Sequence, residues 1–190
     1  MKAFERLIPA GDVTLDDVAA FAARNEWQYL GDRPGSMVPG HEWVWATADR
    51  QTAISYVDDQ AIDLRYLAIQ GRDRTRLADA LRAELPIVDK STALGILSTA
   101  PTPDDIAGSL YLVGAFANDY DADVFAAIEQ ALSHESPRVR QAAIFAALMA
   151  EWSELEPALA RLETSEPEAD VRETARTALE HLRRYWKENA

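Results

Sequence analysis

The stretch Pro137-Arg138-Val139-Arg140-Gln141-Ala142-Ala143 decides how the second half of this chain is interpreted. A related stretch, Asp170-Val171-Arg172-Glu173-Thr174-Ala175, follows it, and a more distant one begins at Asp105-Ile106-Ala107. The apolar residue that anchors each stretch recurs after 33 and then 32 residues, at Ile106, Val139 and Val171. In each stretch a small or apolar residue comes four positions later, which is one turn along the same face of a helix. The spacing therefore predicts three helices related by a repeat.

Second apolar helices are predicted between these three, over about Asp123–Ser133 and Ser153–Thr164. Turn residues separate all of them, for example Glu135-Ser136-Pro137 and Ser165-Glu166-Pro167. A period in the low thirties with two helices per unit is typical of an α-solenoid. The alternative is an ordinary helical bundle in which the spacing is a coincidence.

The Val139-Arg140 and Val171-Arg172 stretches resemble the first helix of a HEAT repeat, in which Asp or Pro caps the helix, Val-Arg follows, and alanines keep helices close. The resemblance covers residues about 104–187, and the first stretch departs from it with Ala107-Gly108. It implies a helical scaffold that presents a surface to other proteins, and it implies little else about function. Residues 72–100 could form a degenerate first repeat.

The N-terminal part has a different pattern. Thr14, followed three positions later by Asp17, predicts the start of a helix that ends near Asn25. The Gly- and Pro-rich segment Gly31–Gly40 predicts a loop. Apolar residues then alternate with polar ones over 42–47, 52–57 and 62–69. This alternation predicts a three-stranded antiparallel meander.

We therefore predict an α+β protein: a small N-terminal module with a three-stranded antiparallel meander and helices, fused to a short C-terminal HEAT-like α-solenoid. The predicted domains are residues 1–70 for the module, 71–103 for a helical connector or degenerate first repeat, and 104–190 for the HEAT-like repeats.

The charge of the chain is unevenly distributed. Of the net charge of -13, residues 1–103 carry -4, residues 104–170 carry -11 and residues 171–190 carry +2. An acidic surface argues against binding to a nucleic-acid backbone, which requires basic residues. There is no cysteine, no apolar run long enough to span a membrane, and no export signal at the start. We expect a cytoplasmic protein that contacts neither nucleic acid nor membrane.

No motif for catalysis or cofactor binding is found. The three histidines, His41, His134 and His181, lack the spacing of a zinc site, and no nucleophile elbow or phosphate-binding glycine motif occurs. Asp119-Tyr120-Asp121-Ala122-Asp123 begins like a calcium loop, but Val124 and Gln130 replace its glycine and glutamate. The structural alternative is a turn in which Asp121 or Asp123 caps the next helix. We predict no enzyme activity, no cofactor and no metal.

The function predicted from these observations is that of a protein-binding or adaptor module whose acidic solenoid surface engages, and could neutralise, a basic protein. The candidate contact residues are the following acidic and aromatic ones: Asp119, Tyr120, Asp121, Asp123, Glu151, Trp152, Glu154, Trp43 and Trp45. One alternative is an enzyme or nucleic-acid handler on a HEAT scaffold, similar to DNA glycosylases or bilin lyases, with arginines of the last helix as its basic patch. A second alternative is a structural protein that self-assembles through Trp43 and Trp45. The sequence leaves the oligomeric state and the identity of the partner open.

Overall fold

A computed structural model of the chain describes residues 4–34 and 39–189. The chain divides into two compact units, Met1–Asp89 and Lys90–Ala190. The segment 71–103 contributes one helix to the first unit and one complete helix to the second.

The first unit contains five strands and two helices in the described residues. In chain order they are β1 (Phe4–Leu7), α1 (Leu15–Arg24), β2 (Gln28–Pro34), β3 (Gly40–Ala46), β4 (Thr52–Asp59), β5 (Leu64–Gly71) and α2 (Arg74–Glu84). The predicted start of α1 is confirmed, because the Thr14 hydroxyl accepts a hydrogen bond from Asp17 N and the Asp17 carboxylate accepts one from Thr14 N. These bonds satisfy two backbone donors that the helix itself leaves free.

The strands form one antiparallel sheet in the order β1-β5-β4-β3-β2. Strands β2 to β5 follow one another as a meander, and β1 returns to pair with β5, with Phe4 opposite Gln70. The α+β class agrees with the structure, but the prediction of a three-stranded meander is wrong, since the sheet has five strands. The three predicted strands correspond to β3, β4 and β5.

The two strands that were missed lack the alternating pattern of a half-buried strand. In β2 every residue is exposed except Gly31, which is partly buried. A register shift between Tyr29 and Gly31 also breaks the two-residue period. Residues 31–34, predicted as loop, belong to this edge strand, where Pro34 is tolerated because an edge needs fewer backbone donors. Positions 35–38 of the predicted loop lie outside the described residues. Strand β1 has only four residues, too few to show a period.

The core of the first unit lies on one face of the sheet, where α1 and α2 contribute their apolar residues. Phe21 and Leu81 from the helices join Ile54 and Leu67 from the central strands, and all four are fully buried. Trp45 also belongs to this core, and Trp43 packs against it partly buried. The helices therefore supply the cover that a small sheet needs on one face.

The described part of the second unit contains helices and the turns that join them, and no strand. Its helices are α3 (Lys90–Thr99), α4 (Pro103–Ala115), α5 (Ala122–Ala131), α6 (Pro137–Ala150), α7 (Glu156–Ser165) and α8 (Ala169–Glu188), with a 3-10 turn at Ser153–Leu155 before α7. Helices α4, α6 and α8 contain the three related stretches of sequence, and they pack in that order, α4 on α6 and α6 on α8. No helix in the described part of the chain is both long enough and apolar enough to cross a membrane.

Small residues bring α4 and α6 close together. A Cβ placed on Gly114 would lie 3.0 Å from the Cα of Ala146, so the two backbones approach closely at this point. On α6, five alanines are fully buried: Ala142, Ala143, Ala146, Ala147 and Ala150. The alanine-rich composition of the α6 stretch is therefore explained by the short distance between the helices.

The arginines of the two Val-Arg pairs make equivalent contacts. Arg140 Nη1 donates to the carbonyl oxygens of His134 and Glu135, at 2.7 and 2.8 Å. Arg172 Nη1 donates to the carbonyl oxygens of Glu166 and Pro167, which again lie six and five residues earlier. Each arginine thus binds carbonyl groups of the turn in front of its own helix, which lie outside both neighbouring helices.

Candidate protein-binding surface

Six of the nine predicted contact residues lie in the two turns that join α4 to α5 and α6 to α7, and a seventh, Asp123, lies in the first turn of α5. The first turn ends at Asp121, which is the N-cap of α5: its Oδ1 accepts hydrogen bonds from the backbone N of Asp123 and Val124, at 3.0 and 3.2 Å. The structure therefore assigns the capping role to Asp121 rather than to Asp123. A carboxylate at this end of a helix is also stabilised by the helix dipole.

Lys90, the first residue of α3, holds two of the predicted acidic residues. Its Nζ lies 2.7 Å from Asp121 Oδ2 and 2.9 Å from Asp123 Oδ2. The hydrogen bond from Lys90 lowers the pKa of Asp121, and the Asp121 carboxylate in turn raises the pKa of Lys90. Two carboxylates of the alternating aspartates therefore bind an ammonium group. Among residues 4–34 and 39–189, no group of three His, Cys, Asp or Glu side chains could hold a metal ion.

Tyr120 is the most prominent side chain of these turns. It is 54% exposed, yet its ring lies 5.2 Å from that of Trp152 and 5.8 Å from that of Phe125, measured between centroids. Trp152 is only 7% exposed. The indole is therefore buried in the protein, unlike the exposed tyrosine ring that packs against it. Aromatic pairs of this kind contribute about 0.5–1.5 kcal/mol, which favours the observed position of the exposed ring.

The turn that contains Trp152 is attached to the last turn of α8. Glu151 takes the left-handed backbone conformation, with φ 57°, and ends α6. Its carbonyl oxygen accepts a hydrogen bond from Trp186 Nε1 at 2.6 Å. Burial raises the pKa of the Tyr185 phenol, and its hydrogen bond to the Glu151 carboxylate raises that pKa further. Two aromatic residues of α8 thus fix the backbone and side chain of Glu151.

Asp119 and Glu154 are exposed acidic residues of the two turns, one in each turn. Glu154 has a long contact with the hydroxyl of Ser153, at 3.5 Å. Within the described part of the chain, neither carboxylate forms an ion pair with a lysine or arginine. These two residues therefore keep their negative charge available to a partner.

The other two predicted residues, Trp43 and Trp45, lie in the sheet of the first unit. Trp45 is buried in the core, beside Tyr29 at a centroid distance of 5.4 Å. Trp43 packs against Tyr56 at 5.9 Å and against His41 at 4.5 Å. Both rings therefore serve the packing of the sheet, and they lie on β3, away in sequence from the turns that contain Tyr120 and Trp152.

Lys90, Phe125, Tyr185 and Trp186 belong to the site and were not predicted from sequence. One signal for Lys90 was present, because it precedes Asp123 by 33 residues, which is one period of the repeat. Residues one period apart lie side by side when repeats stack. For Tyr185 and Trp186 no comparable signal exists, since their contacts depend on how far α8 extends.

Comparison of the chain with protein-family models, with curated proteins and with solved structures gives no match. The resemblance to HEAT repeats therefore stays a prediction from the sequence.

Proposed function

We propose that this chain is a non-enzymatic protein-binding module that engages a basic partner protein in the cytoplasm. The contact surface is formed by the two turns just described, with Tyr120 at its centre, Asp119 next to it in sequence, and Glu154 two residues after Trp152. The observation that carries the proposal is the exposed Tyr120 ring, supported by the buried Trp152. Tyrosine is enriched among the residues that dominate binding energy, because a rigid aromatic ring loses little entropy on binding.

The distribution of charge supports a basic partner. Residues 104–170 carry a net charge of -11. Seven of the acidic residues of the second unit are in ion pairs, but Asp119 and Glu154 are not among them. Unpaired surface carboxylates accelerate association with a positively charged protein and favour it over other partners.

The arginines of α8 favour a protein partner over a nucleic acid. Arg176 binds Glu173 and Glu180, and Arg183 binds Glu156 at 2.7 Å. Arg172 donates to backbone carbonyls at the start of its own helix. These side chains are engaged within the protein, whereas binding to nucleic acid requires arginines that face the phosphates. The HEAT-like architecture that we propose for the helices, supported by the stacking order α4, α6 and α8, agrees with a scaffold for contact.

The test compares two exposed tyrosines. A photo-crosslinking phenylalanine analogue is placed at Tyr120, and in a matched chain at Tyr29, which is 48% exposed in the first unit. A protein captured from the source cells only at position 120 is then purified. Its affinity is measured for the wild type, Tyr120→Ala and Tyr29→Ala at about 50 and about 300 mM salt.

We expect Tyr120→Ala to weaken binding by at least about tenfold and Tyr29→Ala to leave it within about twofold. The affinity of the wild type should fall at the higher salt concentration. Equal capture at both positions, or an affinity that neither salt nor Tyr120→Ala changes, would show that this surface is not the binding site.

A further inference from the structure

A groove of about 460 Å³ lies between α3 and α4, on residues other than those of the proposed binding surface. Ile96 of α3 and Gly108 and Leu112 of α4 line its apolar part. Asp104 and Asp105, in the first turn of α4, line one end. Among the described residues, no lysine or arginine lines the groove.

Gly108 keeps the groove open. A Cβ at this position would meet no heavy atom within 4 Å, so no packing contact requires a glycine here. In the middle of a helix a glycine costs about 1 kcal/mol relative to alanine. Gly114 on the same helix differs, because there a Cβ would press against Ala146. The absence of a side chain at position 108 therefore leaves the groove open and is not required by the packing of α4.

The apolar lining of the groove is partly exposed, and α6 carries a further exposed apolar residue. Ile96 is 46% exposed and Leu112 is partly buried. Phe145 follows Leu112 by 33 residues, lies on the helix that packs against α4, and is 38% exposed. Its ring contacts that of Tyr111, 6.3 Å away. Exposed apolar side chains on neighbouring helices are typical of a binding site for another protein.

The acidic end determines the charge of the occupant. Asp104 is strongly exposed and shares only one contact with Arg138, at 3.2 Å between exposed side chains, which solvent screens. Asp105 accepts a hydrogen bond from the Thr102 hydroxyl and has no ion pair within the described residues. An occupant that fills the groove therefore needs an apolar face and a positive charge at one end.

We infer that this groove binds an amphipathic helix of a partner protein. An aliphatic side chain of that helix occupies the space above Gly108, between Ile96 and Leu112, and a lysine or arginine at one end pairs with Asp104 and Asp105. A helix that lays its apolar face into a groove is a common mode of peptide recognition. This inference goes beyond the proposed function, because it concerns a second site that different substitutions affect.

The test uses a phage-displayed library of amphipathic helices. Helices are selected on the wild-type chain and counter-selected on Gly108→Trp, which fills the groove. Gly108→Ala is the matched control, since it adds only a methyl group and favours the helix. Far-UV circular dichroism and urea unfolding show whether each variant is folded, and Gly108→Leu replaces Gly108→Trp if the larger side chain disturbs α4.

We expect the selected helices to carry Lys or Arg at one end. Their affinity should fall by at least about tenfold on Gly108→Trp, stay within about twofold on Gly108→Ala, and fall on Asp104→Asn. Tyr120→Ala should not change it. The inference is overturned if no helix depends on the groove, or if the selected helices lack basic residues. It is also overturned if the chain dimerises and Gly108→Trp alone abolishes the dimer in sedimentation, because the occupant is then a second copy.

Discussion

Arg140 donates two hydrogen bonds to the carboxylate of Glu166, one of them from Nε to Oε2 at 2.6 Å, and both side chains are buried. Glu166 also accepts a hydrogen bond from the backbone N of Glu168. The pair connects the first turn of α6 with the turn that precedes α8. Arg140, the arginine of the Val139-Arg140 stretch, therefore has a structural role.

Glu166→Gln should destabilise the second unit by about 3 kcal/mol, because it leaves the charge of Arg140 buried without its counter-ion. The control is Glu156→Gln, which removes an exposed pair with Arg183 and should cost less than about 1 kcal/mol. Urea unfolding followed by circular dichroism at the helical band measures both. Equal losses in the two variants would show that the buried pair contributes no more than a surface pair.

The same pair should make stability depend on pH. The hydrogen bond from Arg140 lowers the pKa of Glu166 in the folded state. The unfolded chain therefore takes up the proton first, near the ordinary glutamate pKa of about 4.3. The stabilisation is complete above that pH and is lost as the pH falls through the lower, folded pKa. Melting temperatures between about pH 3 and pH 6 should fall more steeply for the wild type than for Glu166→Gln. Parallel curves would contradict this assignment.

Calcium should not stabilise the chain, although the Asp119–Asp123 segment begins like a calcium loop. The ammonium group of Lys90 already lies between the carboxylates of Asp121 and Asp123. We expect no shift in the melting temperature at millimolar calcium. Lys90→Gln leaves these carboxylates without their cation. The melting temperature of this variant with calcium tests whether Lys90 prevents calcium binding. A rise of several degrees in the wild type would show that the segment binds calcium despite the lysine.

Two glycines of α4 should respond oppositely to the same substitution. Gly114→Ala places a methyl group 3.0 Å from the Cα of Ala146 and should destabilise by about 1–3 kcal/mol through overpacking. Gly108→Ala meets no neighbour and should stabilise by up to about 1 kcal/mol through helix propensity. Urea unfolding of the two variants side by side measures the difference. A loss of stability in both would mean that the surroundings of Gly108 are tighter than the structure shows.

Local signals account for what could be predicted of the fold. The period of about 33 residues predicted the helices of the second unit, and Thr14 with Asp17 predicted the start of α1. Both signals are visible in the sequence because helix caps and apolar faces depend on residues that are close along the chain. Strand β2 was missed because an exposed edge strand needs no apolar alternation, and β1 was missed because its four residues are too few to show a period.

The candidate site was predictable only in part, for a similar reason. Acidic and aromatic residues in the turns are visible in the sequence, and Asp121, Tyr120 and Trp152 do lie in linked turns. Whether Asp121 and Asp123 would be free was not visible, because Lys90 reaches them from another helix. The support of Tyr120 by Trp152 is likewise a contact between side chains 32 residues apart, which only the packing of α4 on α6 determines.

The pairing of Phe4 with Gln70 has a consequence for the order in which the chain acquires its structure. During synthesis β1 leaves the ribosome before its partner β5, since Phe4 and Gln70 are more than sixty residues apart, and loop closure over that distance is slow. The arginine contacts of the second unit span five or six residues and form as soon as each turn is made. Among the described strands, β1 therefore waits longest for its neighbour, and the nascent sheet exposes an unpaired β5 edge until β1 docks.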